Sequence, residues 1–247
     1  MSDKTYAVAG DTADVQGSGL VSVQPREIIE TAFRALCAAG GDPAEAQEGG
    51  LAVLRAEADA QVGLALLEQL LEADWTQPMV PADTQSTSWA GVAVYELNCP
   101  GQPALRSAIQ LMDLACSGSA EEVRVARTTV AGIPRPLWND LLLRYSARLQ
   151  RTIIIAITTA AATGTGGTEY LSVRNGAITT TTEPPSEAIA ASLLPTADGN
   201  ETVVVVLPYH AEAIQQDAGI TQRPLKVRDE QWHRMYQLSR NYLMADQ

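Results

Sequence analysis

Two side chains in this sequence could act together as a nucleophile and its base: the thiol of Cys99 and the imidazole of His210. Cys99 lies between a predicted strand and a predicted helix and is followed by Pro100 and Gly101. A helix N-terminus stabilises a thiolate, so this position favours a reactive cysteine. The opposing interpretation is a half-buried thiol that packs as a small apolar side chain. A catalytic pair requires the fold to bring both groups within hydrogen-bond distance.

The two histidines differ in their surroundings. His210 follows Tyr209 at the end of the predicted strand 203–207, the kind of edge at which α/β proteins build sites. His233 lies among aromatic and basic residues on the last predicted helix, a pattern typical of surface or packing positions. His210 is therefore the predicted general base.

A glycine-rich loop, with Gly164, Gly166 and Gly167, follows an isoleucine-rich strand. A phosphate-binding turn needs a helix directly after its glycines, whereas residues 169–173 predict a strand, so the pattern indicates a simple turn. The many carboxylates between residues 45 and 74 have helical spacing and predict a solvated helix face. No ligand pattern for a metal ion is present, and the sequence predicts neither metal nor cofactor.

Helical periodicity marks five segments that must position these residues. They are residues 25–37, ended by Gly40 and Gly41; 42–75, capped by Asp42, as one kinked helix or two with a break at Gly63; 103–116; 134–149; and a last helix capped by Asp229. The first two predict an N-terminal helical layer.

Strand patterns fall between and after these helices. They cover residues 89–97, 123–130 with one wet face, the buried run 153–157, 169–173, 177–182 and 203–207. Asn175 and Gly176 between alternating runs predict a tight hairpin. Because strands and helices do not alternate strictly, the fold class is α+β: the helical layer packs on a mixed, mainly antiparallel sheet with further helices on one face.

The predicted domain organisation is simple. Residues 1–20 lack periodicity and predict a flexible N-terminal arm. Residues 21–247 predict a single α+β domain with a soft internal boundary near 78–88, where Pro, Asp, Ser and Thr favour a connector.

Composition limits the classes of partner. Seventeen basic and twenty-nine acidic residues give a net charge of −12, which repels nucleic acid and anionic membranes. Three widely spaced cysteines and no long apolar stretch predict a reduced, cytoplasmic protein without a membrane span. The expected partners are another protein or a second copy of the chain, with a small-molecule ligand as a further option.

The chain resembles a bacterial domain-of-unknown-function family of similar size. The likeness rests on the helical pair 23–75, Cys99-Pro100 before a helix, the helix 134–149 and the last helix with Val227, Asp229 and Trp232. It implies a shared fold and no particular activity.

Residues 21–75 also resemble the N-terminal helices of the lactate, malate and ureidoglycolate type-2 dehydrogenases, which end in an acidic Ala-Glu-Ala-Asp stretch. In that family a Ser-His-Gly segment with a catalytic histidine follows. Here residues 58–63 read Ala-Asp-Ala-Gln-Val-Gly. The resemblance therefore implies a shared helical layout and does not support an NAD enzyme.

Three functions are compatible with these observations. The leading interpretation is a non-catalytic binding or accessory protein, such as the partner subunit of a metabolic enzyme. The alternative is a small-molecule enzyme with a site at Cys99 and His210. A structural homo-oligomer is the third.

Overall fold

The structure, a computed structural model, describes residues 19–77, 83–89, 91–130, 132–159, 167–174, 176–185, 201–208 and 223–243. Its described helices are α1 (Pro25–Ala38), α2 (Pro43–Ala60), α3 (Gly63–Leu71), α4 (Ala104–Cys116), α5 (Arg135–Leu149) and α6 (Asp229–Arg240), followed by a 3₁₀ turn (Asn241–Leu243). Its described strands are β1 (Leu20–Val23), β2 (Asp83–Trp89), β3 (Val92–Asn98), β4 (Arg124–Thr128), β5 (Ile153–Thr159), β6 (Gly167–Arg174), β7 (Ala177–Thr181), β8 (Glu201–Val206) and β9 (Leu225–Arg228). No described helix is long and apolar enough to cross a bilayer.

The N-terminal helical layer begins and ends where local chemistry predicts. The backbone N–H of Gln24 donates to the Glu27 carboxylate at 2.7 Å, as part of a capping box that starts α1. The Asp42 carboxylate accepts from the N–H of Ala44 at 2.8 Å and caps α2, as predicted. Gln61, with a φ of 57°, ends α2 in the left-handed region, so the 42–75 segment is two helices.

A seven-stranded sheet carries the rest of the fold, in the order β2-β3-β4-β8-β5-β6-β7. Neighbouring strands are antiparallel except β3 and β4, which are parallel. The predicted hairpin is present between β6 and β7, where Gly176 has a φ of 71°. The predicted α+β class with a mixed, mainly antiparallel sheet is confirmed.

Several elements differ from the sequence-based expectation. Residues 83–88 of the predicted connector, together with Trp89, form strand β2. Leu20, assigned to the arm, begins β1, which pairs with β9 in a separate two-stranded sheet. Arg228 occupies the N-cap position of α6, and Asp229 is the first helical residue. Strands β1 and β2 lack a periodic pattern because pairing with distant strands, and not local propensity, stabilises them.

The core is built in layers. One cluster joins α1, α2, α3 and α6, and it reaches Leu105 of α4 and Leu137 of α5. A second lies between the sheet and helices α4 and α5, and we call this side the helix face. A third lies on the opposite side of the sheet, the distal face, and consists of Val94, Val125, Ile154, Ala156, Tyr170, Val203, Val205 and Leu207. The sheet is thus buried on both sides over its centre. The sequence predicts one wet face for β4; on the distal face Arg127 is 38% exposed and Val125 is 1% exposed, so that face is wet only in part.

Candidate functional site

The structure places Cys99 directly after β3, on the helix face. Its side chain is 6% exposed and belongs to the cluster beneath α4 and α5. The thiol Sγ donates a hydrogen bond to Oγ of the fully buried Ser107 on α4, at 3.4 Å. These contacts are those of a packed thiol, and a substrate could reach it only after movement of its neighbours.

The structure describes one of the two histidines. His210 lies outside the described residues, so the distance between Cys99 and His210 is untested and the pair stays a prediction. His233 is exposed on α6, where its Nδ1 lies 2.8 Å from Oδ1 of Asp229 on the preceding turn. That geometry agrees with the surface role predicted for His233.

The glycine-rich loop and the possible metal ligands give no further candidate site among the described residues. Gly164 and Gly166 lie outside the described residues, while Gly167 begins strand β6. Among the residues that the structure describes, no group of three or more His, Cys, Asp or Glu side chains is arranged to hold a metal ion.

Two of the N-terminal carboxylates depart from the predicted solvated face. Glu45 is 7% exposed and accepts from Nε and a terminal nitrogen of Arg106, at 2.7 and 2.9 Å. Glu57 is 5% exposed and accepts from the N–H of Leu64 at 3.2 Å. These carboxylates tie α2 to α4 and to α3, and their role is structural.

A second buried charge cluster lies between α2 and α5. Arg144 donates twice to Oδ2 of Asp140, at 2.8 and 2.6 Å, and also contacts Glu48. Burial raises the pKa of the Asp140 carboxyl, with Arg144 and Arg55 acting in the opposite direction. Asp140 is fully buried and closed to a substrate, whereas Arg144 and Glu48 are partly exposed.

The turn between α2 and α3 occupies the place where the dehydrogenase resemblance would put a catalytic histidine. Only Gln61 and Val62 separate the two helices. A Cβ on Gly63 would lie 2.1 Å from the carbonyl oxygen of Val53, so the helices touch through this glycine. The turn consists of Gln61 and Val62, of which Val62 is 38% exposed, and it holds no histidine.

The distal face brings together polar groups that the sequence analysis did not connect. The register sets Glu96 beside Arg127 on β3 and β4, and sets Thr158 of β5 between Glu201 of β8 and Thr168 of β6. We call these five residues the polar row. They extend over five adjacent strands at one end of the apolar distal cluster.

Arg127 lies between the two carboxylates of the polar row. Its Nε donates to Oε1 of Glu96 at 3.2 Å and lies 3.8 Å from Oε1 of Glu201. The side chains of Arg127 and Glu96 are each 38% exposed and that of Glu201 is 21% exposed, so a small molecule could reach all three. The arrangement combines an anion-binding group with two possible proton carriers.

The surroundings of Glu201 raise the pKa of its carboxyl. Burial raises the pKa of Glu201 above its usual value, Arg127 opposes this, and the negative charge of Glu96 adds to the increase. A carboxyl with a raised pKa can hold a proton closer to neutral pH and transfer it. Glu201 is therefore the best-placed acid or base among the described residues.

A cavity of about 290 Å³ opens on the same face over β5, β6 and β7. The described residues that line this distal cavity are Ile154, Tyr170, Ser172, Thr179, Thr181, Glu183, Pro184 and Pro185. Tyr170 is two residues from Thr168 on the same side of β6, about 7 Å along the strand. The distal cavity and the polar row are thus neighbours on one surface.

The sequence alone does not reveal this surface, because it does not specify which strands flank β4. The alternation of Arg and Val in β4 is visible in the sequence. Glu96, Arg127 and Glu201 are separated by tens of residues and meet only through the parallel β3–β4 pairing and the β8 crossover. A signal was present only in charged residues that interrupt otherwise apolar strands.

No protein-family model matches the chain, and no curated protein matches it. Solved structures do match. Malate dehydrogenase from Pyrococcus horikoshii OT3 is similar over 98% of this chain and 99% of its own, with a TM-score of 0.53 and 10% identity. Malate dehydrogenase from Entamoeba histolytica is similar over 91% and 98%, with a TM-score of 0.54 and 11% identity. A dehydrogenase from Sinorhizobium meliloti is similar over 89% and 99%, with a TM-score of 0.51 and 12% identity.

These likenesses establish the fold and extend the predicted dehydrogenase-like layout of residues 21–75 to nearly the whole chain. They give no support to the resemblance to a domain-of-unknown-function family. The leading interpretation from the sequence, a non-catalytic binding or accessory protein, is wrong by this comparison. The three solved chains named above are dehydrogenases by their own descriptions.

Proposed function

We propose that this chain is a small-molecule enzyme that transfers a proton between Glu201 and a substrate bound on the distal face of the sheet. The observation that carries the proposal is Glu201 itself: a partly exposed carboxyl with a raised pKa, 3.8 Å from Arg127. The fold shared with dehydrogenases supports an enzyme, and the polar row supports acid–base chemistry.

The roles within the polar row follow from charge. Glu201 in its ionised form accepts a proton from carbon or oxygen of the substrate, and in its protonated form returns one, so no electrons are transferred. Arg127 stabilises negative charge that develops on a substrate oxygen when the proton leaves. Glu96 orients Arg127 and raises the pKa of Glu201.

The test uses solvent deuterium. The protein is incubated in D₂O with a pool of small metabolites, and mass spectrometry identifies any compound that gains deuterium at carbon. We expect wild-type protein to label one class of compound, Glu201→Gln to abolish labelling, and Glu121→Gln, an exposed acid off this face, to keep it. Labelling that survives Glu201→Gln would contradict the role of Glu201. No labelling by wild-type protein would contradict the function.

A second candidate, reduction of a 2-oxo acid by a nicotinamide cofactor, is favoured by the malate dehydrogenases that share the fold. The described residues of the distal cavity do not fit such a dinucleotide. The cavity, about 290 Å³, is small, and its described lining offers one carboxylate where a pyrophosphate takes N–H groups or cations. Loss of NADH absorbance with 2-oxo dicarboxylic acids, the oxidised counterparts of malate, absent from a Glu201→Gln control, would nevertheless favour this candidate.

Cys99 with His210 remains an alternative site for the same class of function. In that version the thiol attacks the substrate and the imidazole accepts its proton. The packed position of Cys99 against Ser107 gives this version less support than the polar row. Rapid alkylation of Cys99 would favour it.

Self-association and a protein partner also remain proposals, as does a cytoplasmic location. Native mass spectrometry of protein isolated gently from its host measures the first two directly, against the 26.3 kDa of one chain. A mass of twice this value at all concentrations would support a dimer.

A further inference from the structure

The distal cavity has a floor and walls of different chemistry. Ile154, 2% exposed, and Tyr170, 9% exposed, form an apolar floor. Pro184 and Pro185 form one wall, and their fixed backbone φ angles limit the conformational entropy lost when a ligand packs against them. The floor and this wall suit the C–H surface of a compact molecule.

The threonines of the cavity present both a donor and an acceptor. Oγ1 of Thr179 donates to the carbonyl oxygen of Ser172 at 3.3 Å, which leaves its oxygen lone pairs for a ligand. Oγ1 of Thr181 accepts from the N–H of Glu183 at 3.0 Å, which leaves its O–H proton for a ligand. A ligand that bears hydroxyl groups, which donate and accept, matches this pattern.

Glu183 sets the charge preference of the cavity. It is the one charged side chain among the eight described lining residues. The chain as a whole has a net charge of −12, so the long-range field also disfavours anions. A carboxylate at the rim stabilises an ammonium group and repels an acid.

We propose that the distal cavity binds a small hydroxylated amine, of about the size of an amino sugar, with the ammonium group at Glu183 and hydroxyl groups at Thr179 and Thr181. This inference goes beyond the proposed function: the cavity residues of β7 lie three strands from Glu201 in the order β8-β5-β6-β7, so the cavity is a ligand site separate from Glu201. It separates this chain from the malate dehydrogenases of similar fold, whose named substrate is a dicarboxylate.

The test compares three probes of one size that differ in charge: glucosamine, glucose and glucuronate. Binding to the full chain is measured by ligand-observed NMR titration at about pH 6, where the amine is cationic and the uronic acid is anionic. We expect affinity to fall from glucosamine to glucose, with glucuronate weakest. Glucuronate binding as tightly as glucosamine, or no binding of any probe, would overturn the proposal.

Variants of the lining residues test whether the probe binds in the cavity. Glu183→Gln is expected to weaken glucosamine about three- to fivefold and to leave glucose within about twofold, because only the charge of an exposed carboxylate is removed. Thr181→Val is expected to weaken both probes, and Thr182→Val, a neighbouring threonine outside the lining, to weaken neither. Unchanged glucosamine affinity in Glu183→Gln would contradict the assigned orientation.

The experiments distinguish failure of the proton-transfer proposal at Glu201 from failure of the binding proposal for the distal cavity. Glucosamine binding that persists in Glu201→Gln, without deuterium labelling by wild-type protein, would keep the cavity and refute the proton transfer. Deuterium labelling that depends on Glu201, without amine preference in the cavity, would keep the enzyme and refute the amine site.

Discussion

Nε of Arg127 lies 3.8 Å from Oε1 of Glu201 across adjacent strands of the distal face. The two residues are 74 positions apart in the sequence, and the pairing of β4 with β8 makes them neighbours. The Arg127 cation can stabilise an anion at this surface, and the partly buried Glu201 carboxyl can transfer a proton.

The first prediction concerns the titration of Glu201. Its carboxyl should titrate above the usual glutamate range, Glu96→Gln should lower that pKa, and Arg127→Met should raise it further, because each change removes one of the two opposing charges. Carboxyl-detected NMR titration measures all three. An unshifted Glu201 would contradict the acid–base assignment.

The same shift has a consequence for stability. A carboxyl with a raised folded pKa keeps its proton where the unfolded chain has lost it, so stability falls as pH rises from the usual glutamate pKa through the raised one. Glu201→Gln should reduce this loss. Urea denaturation at a series of pH values measures the slope, and an equal slope in the variant would show that Glu201 does not contribute.

Removal of one partner of the Arg106–Glu45 ion pair should destabilise the fold. Arg106→Met leaves Glu45, 7% exposed, as a buried charge without its guanidinium, at an expected cost of about 3–5 kcal/mol. Chemical denaturation measures the loss. The double variant Arg106→Met/Glu45→Met should recover much of it, and Arg26→Met, which breaks an exposed pair with Glu30, should change little.

Gly63 should not accept a side chain. A methyl group there would lie 2.1 Å from the carbonyl oxygen of Val53 and 2.7 Å from Cβ of Glu57, so α2 and α3 would have to separate. We expect Gly63→Ala to cost about 2 kcal/mol or more. Gly167→Ala, where no atom lies within 4 Å of the added carbon, is the control and should unfold at the wild-type temperature.

Thiol reactivity distinguishes the two versions of the enzyme. Cys116 should label slowly, since burial raises its pKa to about 12, and burial also raises the pKa of Cys37. Cys99, packed against Ser107, should label no faster than Cys37 with iodoacetamide near neutral pH. Mass spectrometry of the alkylated peptides gives the three rates. Preferential labelling of Cys99 would instead favour the thiol site.

Much of the local structure was predictable because its causes are local. The capping carboxylate of Asp42, the break at Gly63 and the Asn175-Gly176 turn each act within a few residues. The long apolar periodicities of α1, α4 and α5, and the buried run of β5, follow from side chains that must all face one core.

The pairing of strands and the functional surface depended on tertiary structure. Strand β2 has polar residues typical of a connector and is a strand because it pairs with β3. Glu45 has the spacing of a solvated face and is buried because Arg106 reaches it from α4. Neither contact has a local cause.

By itself, the sequence determined the helices, the main strands and the α+β class, because hydrophobic periodicity and caps are short-range properties. Only the tertiary structure decided which carboxylates are buried, which strands adjoin, and that Glu96, Arg127 and Glu201 meet beside the distal cavity. The physical reason is that electrostatic neighbours are set by distances in space, and a register of seven strands converts positions far apart in the chain into distances of a few ångströms.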